Sequence, residues 1–110
     1  MQTTLLKPKF TVVKPQKSIT AANAYLLEKK LTTALTKNSH SRLLVDLEQV
    51  EHIDSAGLMV LISSCKLAQS LQKRFSLCSV SPSLKIVIEL TQLDNVLEIF
   101  ESKAQYTESL

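Results

Sequence analysis

The chain has 110 residues, of which 45% are hydrophobic and 21% are charged, and its formal net charge is +3. These values are typical of one soluble globular domain, and we expect residues 1–110 to form a single domain. The sequence contains one glycine, whereas phosphate-binding loops and dinucleotide-binding turns require several, so both kinds of nucleotide-binding motif are excluded.

Two elements are predicted before residue 40. Phe10–Val13 is a short run of β-forming residues between Pro8 and Pro15, which predicts a strand. A helix is predicted from residue 20 to residue 37, because apolar side chains recur there every three or four positions. These apolar residues are Ala24, Leu27, Leu31, Ala34 and Leu35.

The next two elements enclose the most informative segment of the chain. Leu43–Leu47 is short and mostly apolar, as expected of an interior strand covered on both faces. After the segment Ile53-Asp54-Ser55-Ala56-Gly57-Leu58, an apolar pattern predicts a helix that continues to Leu71. Either Asp54 or Ser55 could cap this helix, because both side chains accept hydrogen bonds from first-turn amides. Gly57 lacks a Cβ atom, so another group can approach the backbone closely there.

The helix that begins near Ser55 has one predicted core side and one predicted solvent side. At about 100° per residue, the core side is formed by Leu58, Leu61, Ile62, Cys65 and Ala68. The solvent side begins at Ser55 and continues through Met59, Ser63 and Lys66. A helix N-terminus presents free N–H groups and a partial positive charge, so a phosphate on Ser55 would be well accommodated. A serine at a helix start is most often only a cap, and the two interpretations remain open.

The remaining pattern continues the alternation of strands and helices. A strand is predicted at residues 75–80, and Ser81-Pro82-Ser83 then forms a helix start, since proline is tolerated in the first turn. The last strand is predicted at residues 96–100 and a terminal helix at residues 103–110. Four strands that alternate with four helices indicate an α/β fold in which helices cover a sheet.

No catalytic or metal site is evident in the sequence. The nucleophile motif G-x-S-x-G is absent, and no histidine is paired with Ser55 by its spacing. Cys65 and Cys78 form no Cys-x-x-Cys motif, and His40 and His52 are not spaced with them for zinc. We therefore expect no enzyme activity, metal or cofactor.

The sequence contains no signal for export or membrane insertion. The first eight residues lack the apolar core of a signal peptide, and the longest apolar run has five residues, against about 20 for a membrane-spanning helix. We therefore expect a cytoplasmic protein with two reduced, buried thiols and no contact with the membrane.

Charge is unevenly distributed along the chain. Residues 1–42 contain eight basic residues and a single acidic residue, Glu28. A basic region of this kind is one feature of nucleic-acid binding. However, the five aromatic residues do not alternate with the basic ones, and a partner with an acidic surface accounts equally well for the charge. We expect no direct contact with nucleic acid.

The segment 43–58 resembles the signature of STAS domains, and most of all that of bacterial anti-sigma factor antagonists. In that pattern an apolar strand ends in Asp-Leu, here Asp46-Leu47, and is followed by Ile53-Asp54-Ser55-Ala56-Gly57-Leu58. Ser81-Pro82 after the next strand also matches, as does the spacing of Leu93, Val96 and Ile99-Phe100. The resemblance implies a small single-domain α/β fold, with a mixed sheet of about four strands and helices mostly on one face.

The resemblance also implies a phosphorylation switch at Ser55. In this family the unphosphorylated antagonist binds an anti-sigma factor that is itself a serine kinase, phosphorylation breaks the complex, and a metal-dependent serine phosphatase restores the antagonist. The implied partner-binding residues are Asp54, Ala56, Gly57, Met59, Ser63 and Lys66 around the helix, with Lys17 and Ser18 in the preceding loop.

The chain departs from the family pattern at three places. The family motif G-x-L-D is replaced by Pro15-Gln16-Lys17-Ser18, so Ser18 takes the place of an acid in the partner-binding loop. The glycines expected after the second helix are replaced within residues 71–74, and Thr-Gly-Leu near the end becomes Thr91-Gln92-Leu93. The alternative function is therefore a STAS module without a switch, such as a scaffold or an accessory subunit of a transport or lipid-handling complex.

Overall fold

The computed structural model of the chain describes residues 8–110, so residues 1–7 of the expected domain 1–110 lie outside the described part. Its elements are β1 (Phe10–Val13), β2 (Lys17–Ile19), α1 (Ala24–Thr36), β3 (Arg42–Asp46), β4 (Val50–Ile53), α2 (Ser55–Ser70), β5 (Arg74–Cys78), α3 (Pro82–Leu90), a 3₁₀ turn (Leu93–Asn95), β6 (Glu98–Phe100) and α4 (Lys103–Glu108).

The main sheet has four strands in the order β1-β3-β5-β6. Every pairing in this sheet is parallel, so the antiparallel pair that a mixed sheet requires is not found among residues 8–110. Leu43, Leu44 and Val45 of β3 are fully buried, because this strand has a neighbour on each side and cover on both faces. This burial explains the continuous apolar run from which the strand was predicted.

Three of the four helices pack on one face of the sheet, as expected. Leu31 of α1, Leu61 of α2 and Ile88 of α3 are completely buried in one core with the strand residues of that face. On the opposite face, the ring of Tyr106 in α4 packs edge-on against Phe10 and Phe100, with ring centroids 5.1 Å apart in both pairs. The small α/β architecture with one crowded face is therefore confirmed.

A second sheet, formed by β2 and β4 in parallel, was not predicted. These strands have only three and four residues, and most of their side chains are polar and at least partly exposed. An alternating pattern cannot be recognised over so few positions, so the sequence predicts a strand at neither segment. The pairing of Ile19 with Ile53 brings the end of β2 next to the start of α2.

The last predicted strand is shorter than expected. Residues 96 and 97 do not belong to it, because a 3₁₀ turn at Leu93–Asn95 precedes them and only Glu98–Phe100 pairs with β5. Leu97 is buried all the same. Its apolar character therefore reflects core packing and not strand pairing.

Two glutamines occupy positions where the family resemblance leads us to expect glycine. Gln72 follows the C-cap of α2 with φ 58°, and Gln92 follows the C-cap of α3 with φ 59°. After Gln72, the backbone N–H of Lys73 donates a hydrogen bond to the carbonyl of Ala68 at 2.8 Å, and this bond ends α2. The backbone is therefore left-handed at Gln72 and Gln92, although neither residue is glycine, which adopts this conformation most easily.

Replacing Gln72 with glycine should stabilise the protein. A glycine removes the steric cost of the left-handed conformation, and we expect a gain of about 0.5–1 kcal/mol in the free energy of unfolding after the greater chain entropy of glycine is deducted. The measurement is urea denaturation followed by circular dichroism. The matched control is Gln69→Gly in the last turns of α2, which should lose about 1 kcal/mol. Equal destabilisation by both substitutions would contradict this account of residue 72.

Candidate functional site at the start of helix α2

The start of α2 is capped by Asp54 and not by Ser55. The Asp54 side chain accepts a hydrogen bond from the backbone N–H of Gly57 at 3.0 Å, and Ser55 is the first residue of the helix. Ser55 is exposed, so its hydroxyl is accessible from solvent. The interpretation of Ser55 as only a cap is therefore wrong, since the capping role belongs to its neighbour.

The second carboxylate oxygen of Asp54 holds the loop between β2 and α1. This oxygen accepts a hydrogen bond from the backbone N–H of Ala21 at 3.0 Å, while the Asp54 backbone N–H donates to the carbonyl of Ile19 at 3.1 Å. The hydrogen bond from the Gly57 N–H is the main cause that lowers the pKa of Asp54 below its ordinary value, and the Ala21 N–H and nearby His52 act in the same direction. Ser55 therefore lies beside an ionised carboxylate.

Asn23 fixes the shape of the same loop from within. Its side-chain oxygen accepts a hydrogen bond from the backbone N–H of Thr20, and its side-chain nitrogen donates to the carbonyl of Ser18, both at 2.8 Å. Ser18 also pairs with His52 across the small sheet. Ser18, expected in a loop, lies in β2, and this strand is connected to the start of α2 through its pairing with β4 and through the following loop that Asp54 holds.

Gly57 is buried and allows α2 to approach the small sheet closely. A Cβ atom on this residue would lie 2.8 Å from the Cγ2 atoms of both Ile19 and Ile53, and 3.0 Å from the carbonyl oxygen of Ile19. As expected, another group lies close to the backbone of Gly57. That group is the small sheet of the protein itself. We accordingly assign Gly57 to packing and no longer to the partner-binding surface.

The other expected contact residues do not form one compact group. Met59, Ser63 and Lys66 are exposed along one side of α2, and Lys66 lies about 16 Å along the helix axis from Ser55. Ala56 is half-buried beside Ser55. Lys17 is exposed at the far end of β2, opposite Val50, whereas Ser18 is half-buried nearer to Ser55.

Ser55 lies at the edge of an apolar groove that the sequence did not predict. The groove has a volume of about 490 Å³ and runs between β4, the first turn of α2 and α3. Its apolar walls include Leu58 and Val87, and Ser55, His52 and Ser83 supply polar groups. Val87 is apolar, yet it is 43% exposed. That mismatch is visible only when the packing of α3 is known.

The described part of the chain offers no site for a metal ion and no membrane-spanning element. Across residues 8–110, no three histidine, cysteine, aspartate or glutamate side chains come together closely enough to hold a metal. None of the helices in this range combines the length and the apolar character that crossing a bilayer requires.

Comparison with known proteins identifies a single family over most of the chain. The family model described as the STAS domain matches residues 3–106. A candidate anti-sigma factor antagonist of Thermotoga maritima is 26% identical over 99 residues, which cover 90% of this chain and 88% of the relative. A crystal structure of a Thermotoga maritima protein of the same description superposes with a TM-score of 0.83 at 26% identity, and covers 91% of this chain and 86% of the other.

Two further solved structures share the fold. An anti-sigma factor antagonist from Mycobacterium paratuberculosis has a TM-score of 0.81 at 24% identity, over 97% of this chain and 92% of the other. The phosphorylated form of the Bacillus cell fate determinant SpoIIAA has a TM-score of 0.71 at 14% identity, over 99% of this chain and 98% of the other. At these identities the similarity shows the fold alone.

Substituting alanine for Gly57 should destabilise the protein although alanine favours helices. The added methyl group must displace Ile19 and Ile53, and overpacking of this kind costs about 1–3 kcal/mol, against a gain of about 1 kcal/mol in helix propensity. We expect a net loss in the free energy of unfolding, measured by urea denaturation. Ser63→Ala on the exposed side of α2 is the control and should be neutral or slightly stabilising. A more stable Gly57→Ala variant would show that the contact with the sheet is loose.

Proposed function

Since this chain belongs to the STAS domain family, we propose that it is a phosphorylation-switched binding protein of the anti-sigma factor antagonist type. The observation that carries the proposal is the position of Ser55, which is exposed as the first residue of α2 while Asp54 caps the helix. In the unphosphorylated state the protein binds a serine kinase of the anti-sigma type. It regulates by binding and performs no catalysis of its own.

Phosphorylation of Ser55 would leave the fold intact. The cap hydrogen bond is made by Asp54, so modification of the Ser55 hydroxyl removes no contact that holds the helix start. The N–H groups and the dipole of the helix favour a negative group at this end. If the serine hydroxyl itself capped the helix, phosphorylation would remove the cap hydrogen bond.

The same modification would break a complex that covers Ser55. A phosphate adds a charge of about −1.5 to −2 at neutral pH, and here it would stand beside the ionised Asp54 and at the mouth of an apolar groove. A partner surface that fits over this groove would have to desolvate both negative groups, which is unfavourable without a matching cation. Release of the partner follows from this repulsion and desolvation.

A metal-dependent serine phosphatase would complete the cycle by removing the phosphate from Ser55. Both reactions require that Ser55 be reached from solvent, as its exposure allows. The protein acts in the cytoplasm, where ATP is available to the kinase. SpoIIAA, whose fold this chain shares, has been solved in both its unphosphorylated and its phosphorylated form. These two structures support the view that the fold accommodates a phosphate.

A STAS module without a switch is the second candidate function. The fold also occurs in a sulfate transporter family protein from Wolinella succinogenes, with a TM-score of 0.74 at 13% identity over 91% of this chain and 85% of that one. In addition, Ser18 stands where the family loop has an acid. In this case the chain would serve as a scaffold or as an accessory subunit of a transport or lipid-handling complex, and the charge of Ser55 would have no effect on its partner.

Treatment with an anti-sigma-type serine kinase from the same genome and ATP should add one phosphate, at Ser55. We expect this because Ser55 is the exposed hydroxyl at the helix start, next to the loop that Asp54 holds. The measurement is intact-mass and peptide mass spectrometry, with Ser55→Ala as the control that should stay unmodified. A phosphate on another residue, with Ser55 unmodified, would overturn the assignment of the site.

A negative charge at Ser55 should weaken binding of that kinase without weakening the fold. Ser55→Ala should bind as the wild type does, whereas Ser55→Asp should lose at least about tenfold in affinity, since it places a second carboxylate beside Asp54. Both variants should melt close to the wild-type temperature, because Ser55 makes no cap bond. The matched control is Ser39→Asp, an exposed loop position outside the site, which should bind normally. Equal affinity of the Ala and Asp variants would favour the module without a switch.

A further inference from the structure

A second surface feature lies on α1, next to the loop that Asp54 holds. Two shallow depressions with volumes of about 390 and 440 Å³ run along this helix, and Leu26 and Lys30 line both of them. Leu26 is 55% exposed, so another molecule can contact its side chain. We call the two depressions together the α1 groove.

The α1 groove carries a concentrated positive charge. Lys29 and Lys30 lie three and four positions from Leu26, so they project from the same side of the helix, and both line the groove. Glu28 is two positions from Leu26, about 200° around the helix axis. Within residues 8–110 the cations of the ion pairs are Lys14 and Arg74, and no lysine of the α1 groove is among them.

The loop between β2 and α1 connects the α1 groove to the helix start that carries Ser55. Ser18 and Asn23 line its first depression, and Asn23 is the residue that hydrogen-bonds to the Ser18 carbonyl and to the Thr20 N–H. The next residue of this loop, Ala21, donates to Asp54 beside Ser55. A protein that covers Ser55 can therefore extend over this loop onto α1.

We propose that the α1 groove binds an acidic surface of the same partner that covers Ser55, and this inference rests on the proposed function. Carboxylates of the partner would pair with Lys29 and Lys30, while an apolar side chain of the partner would contact Leu26 in the depression. Charge complementarity of this kind accelerates encounter and fixes the orientation of the two proteins. The α1 groove then orients the partner so that Ser55 enters its active site.

The composition of the α1 groove favours a protein over other occupants. Its lining contains no arginine and no aromatic residue, whereas nucleic-acid surfaces use both to bind phosphates and stack bases. Residues 2–7 of this chain, Gln-Thr-Thr-Leu-Leu-Lys, contain no carboxylate that could pair with the lysines. A second copy carries the same net charge of +3, which opposes self-association through a basic surface.

The test is a titration of the unphosphorylated full chain against an anti-sigma-type serine kinase from the same genome. The double variant Lys29→Glu/Lys30→Glu should lose at least about tenfold in affinity and most of the salt dependence of binding. The neutral variant Lys29→Gln/Lys30→Gln should lose less. Leu26→Ala should weaken binding while the salt dependence stays as in the wild type. Thermal melts of each variant verify that the fold is retained.

The matched control is Lys85→Glu/Lys103→Glu, which makes the same charge change at exposed lysines of α3 and α4. This variant should stay within about twofold of the wild-type affinity, because a change in net charge alone has only a weak, screened effect. If it loses as much affinity as the α1 variant, the effect comes from overall charge and the inference is overturned. The inference is also overturned if the α1 variant binds the kinase as the wild type does.

Other occupants are separated by parallel measurements. If the lysines of the α1 groove govern binding to phosphatidylglycerol vesicles or to single-stranded DNA and not to the kinase, the assignment to a protein partner is wrong. Concentration-dependent dimerisation that the α1 variant abolishes would assign the surface to a second copy. Ser55→Asp distinguishes failure of the switch from failure of the docking inference. If this variant binds the kinase with wild-type affinity, the switch is wrong. If only the α1 variants lose affinity, docking at the α1 groove is still supported.

Discussion

The carboxylate of Asp54 is the interaction on which the functional surface depends. One of its oxygens caps α2 at Gly57, and the other holds the loop before α1 at Ala21. Because one side chain performs both tasks, the helix start and the loop cannot move independently. The position of Ser55 relative to Ser18 therefore depends on this charged group together with the pairing of β2 with β4.

Because Asp54 caps the helix, Ser55 is not needed as a cap. Local sequence cannot decide between Asp54 and Ser55 as the cap, since both residue types are good caps and they are adjacent. Which of the two residues caps the helix depends on the position of Ile19. The carbonyl of Ile19 accepts a hydrogen bond from the Asp54 N–H, and its side chain packs against Gly57. Once Asp54 is fixed in this way, Ser55 becomes the first helical residue, and its hydroxyl is available for other chemistry.

The sequence was sufficient to predict features that depend on local periodicity. The strand at residues 43–47, the helix from residue 55 and the exposed side of that helix were predicted closely, because each rests on several consecutive apolar positions. Strands β2 and β4 were missed, because a pair of three- and four-residue strands carries too little pattern. The apolar groove beside Ser55 was missed for another reason, since it lies between α3, β4 and the first turn of α2, and the spacing of three separate elements cannot be read from any single segment.

The parallel pairing of the main sheet has a consequence for the order of folding events. The registers join Phe10 to Arg42 and Arg42 to Arg74, so each of these two ladders closes only after a loop of about thirty residues has been ordered. The hydrogen bond between Ala21 and Asp54 spans a similar separation. The main sheet and the contact that places the loop before α1 beside Ser55 therefore form only when distant segments have come together. Any protein that binds both the loop and the helix start would require the folded chain, because the two segments are held together only there.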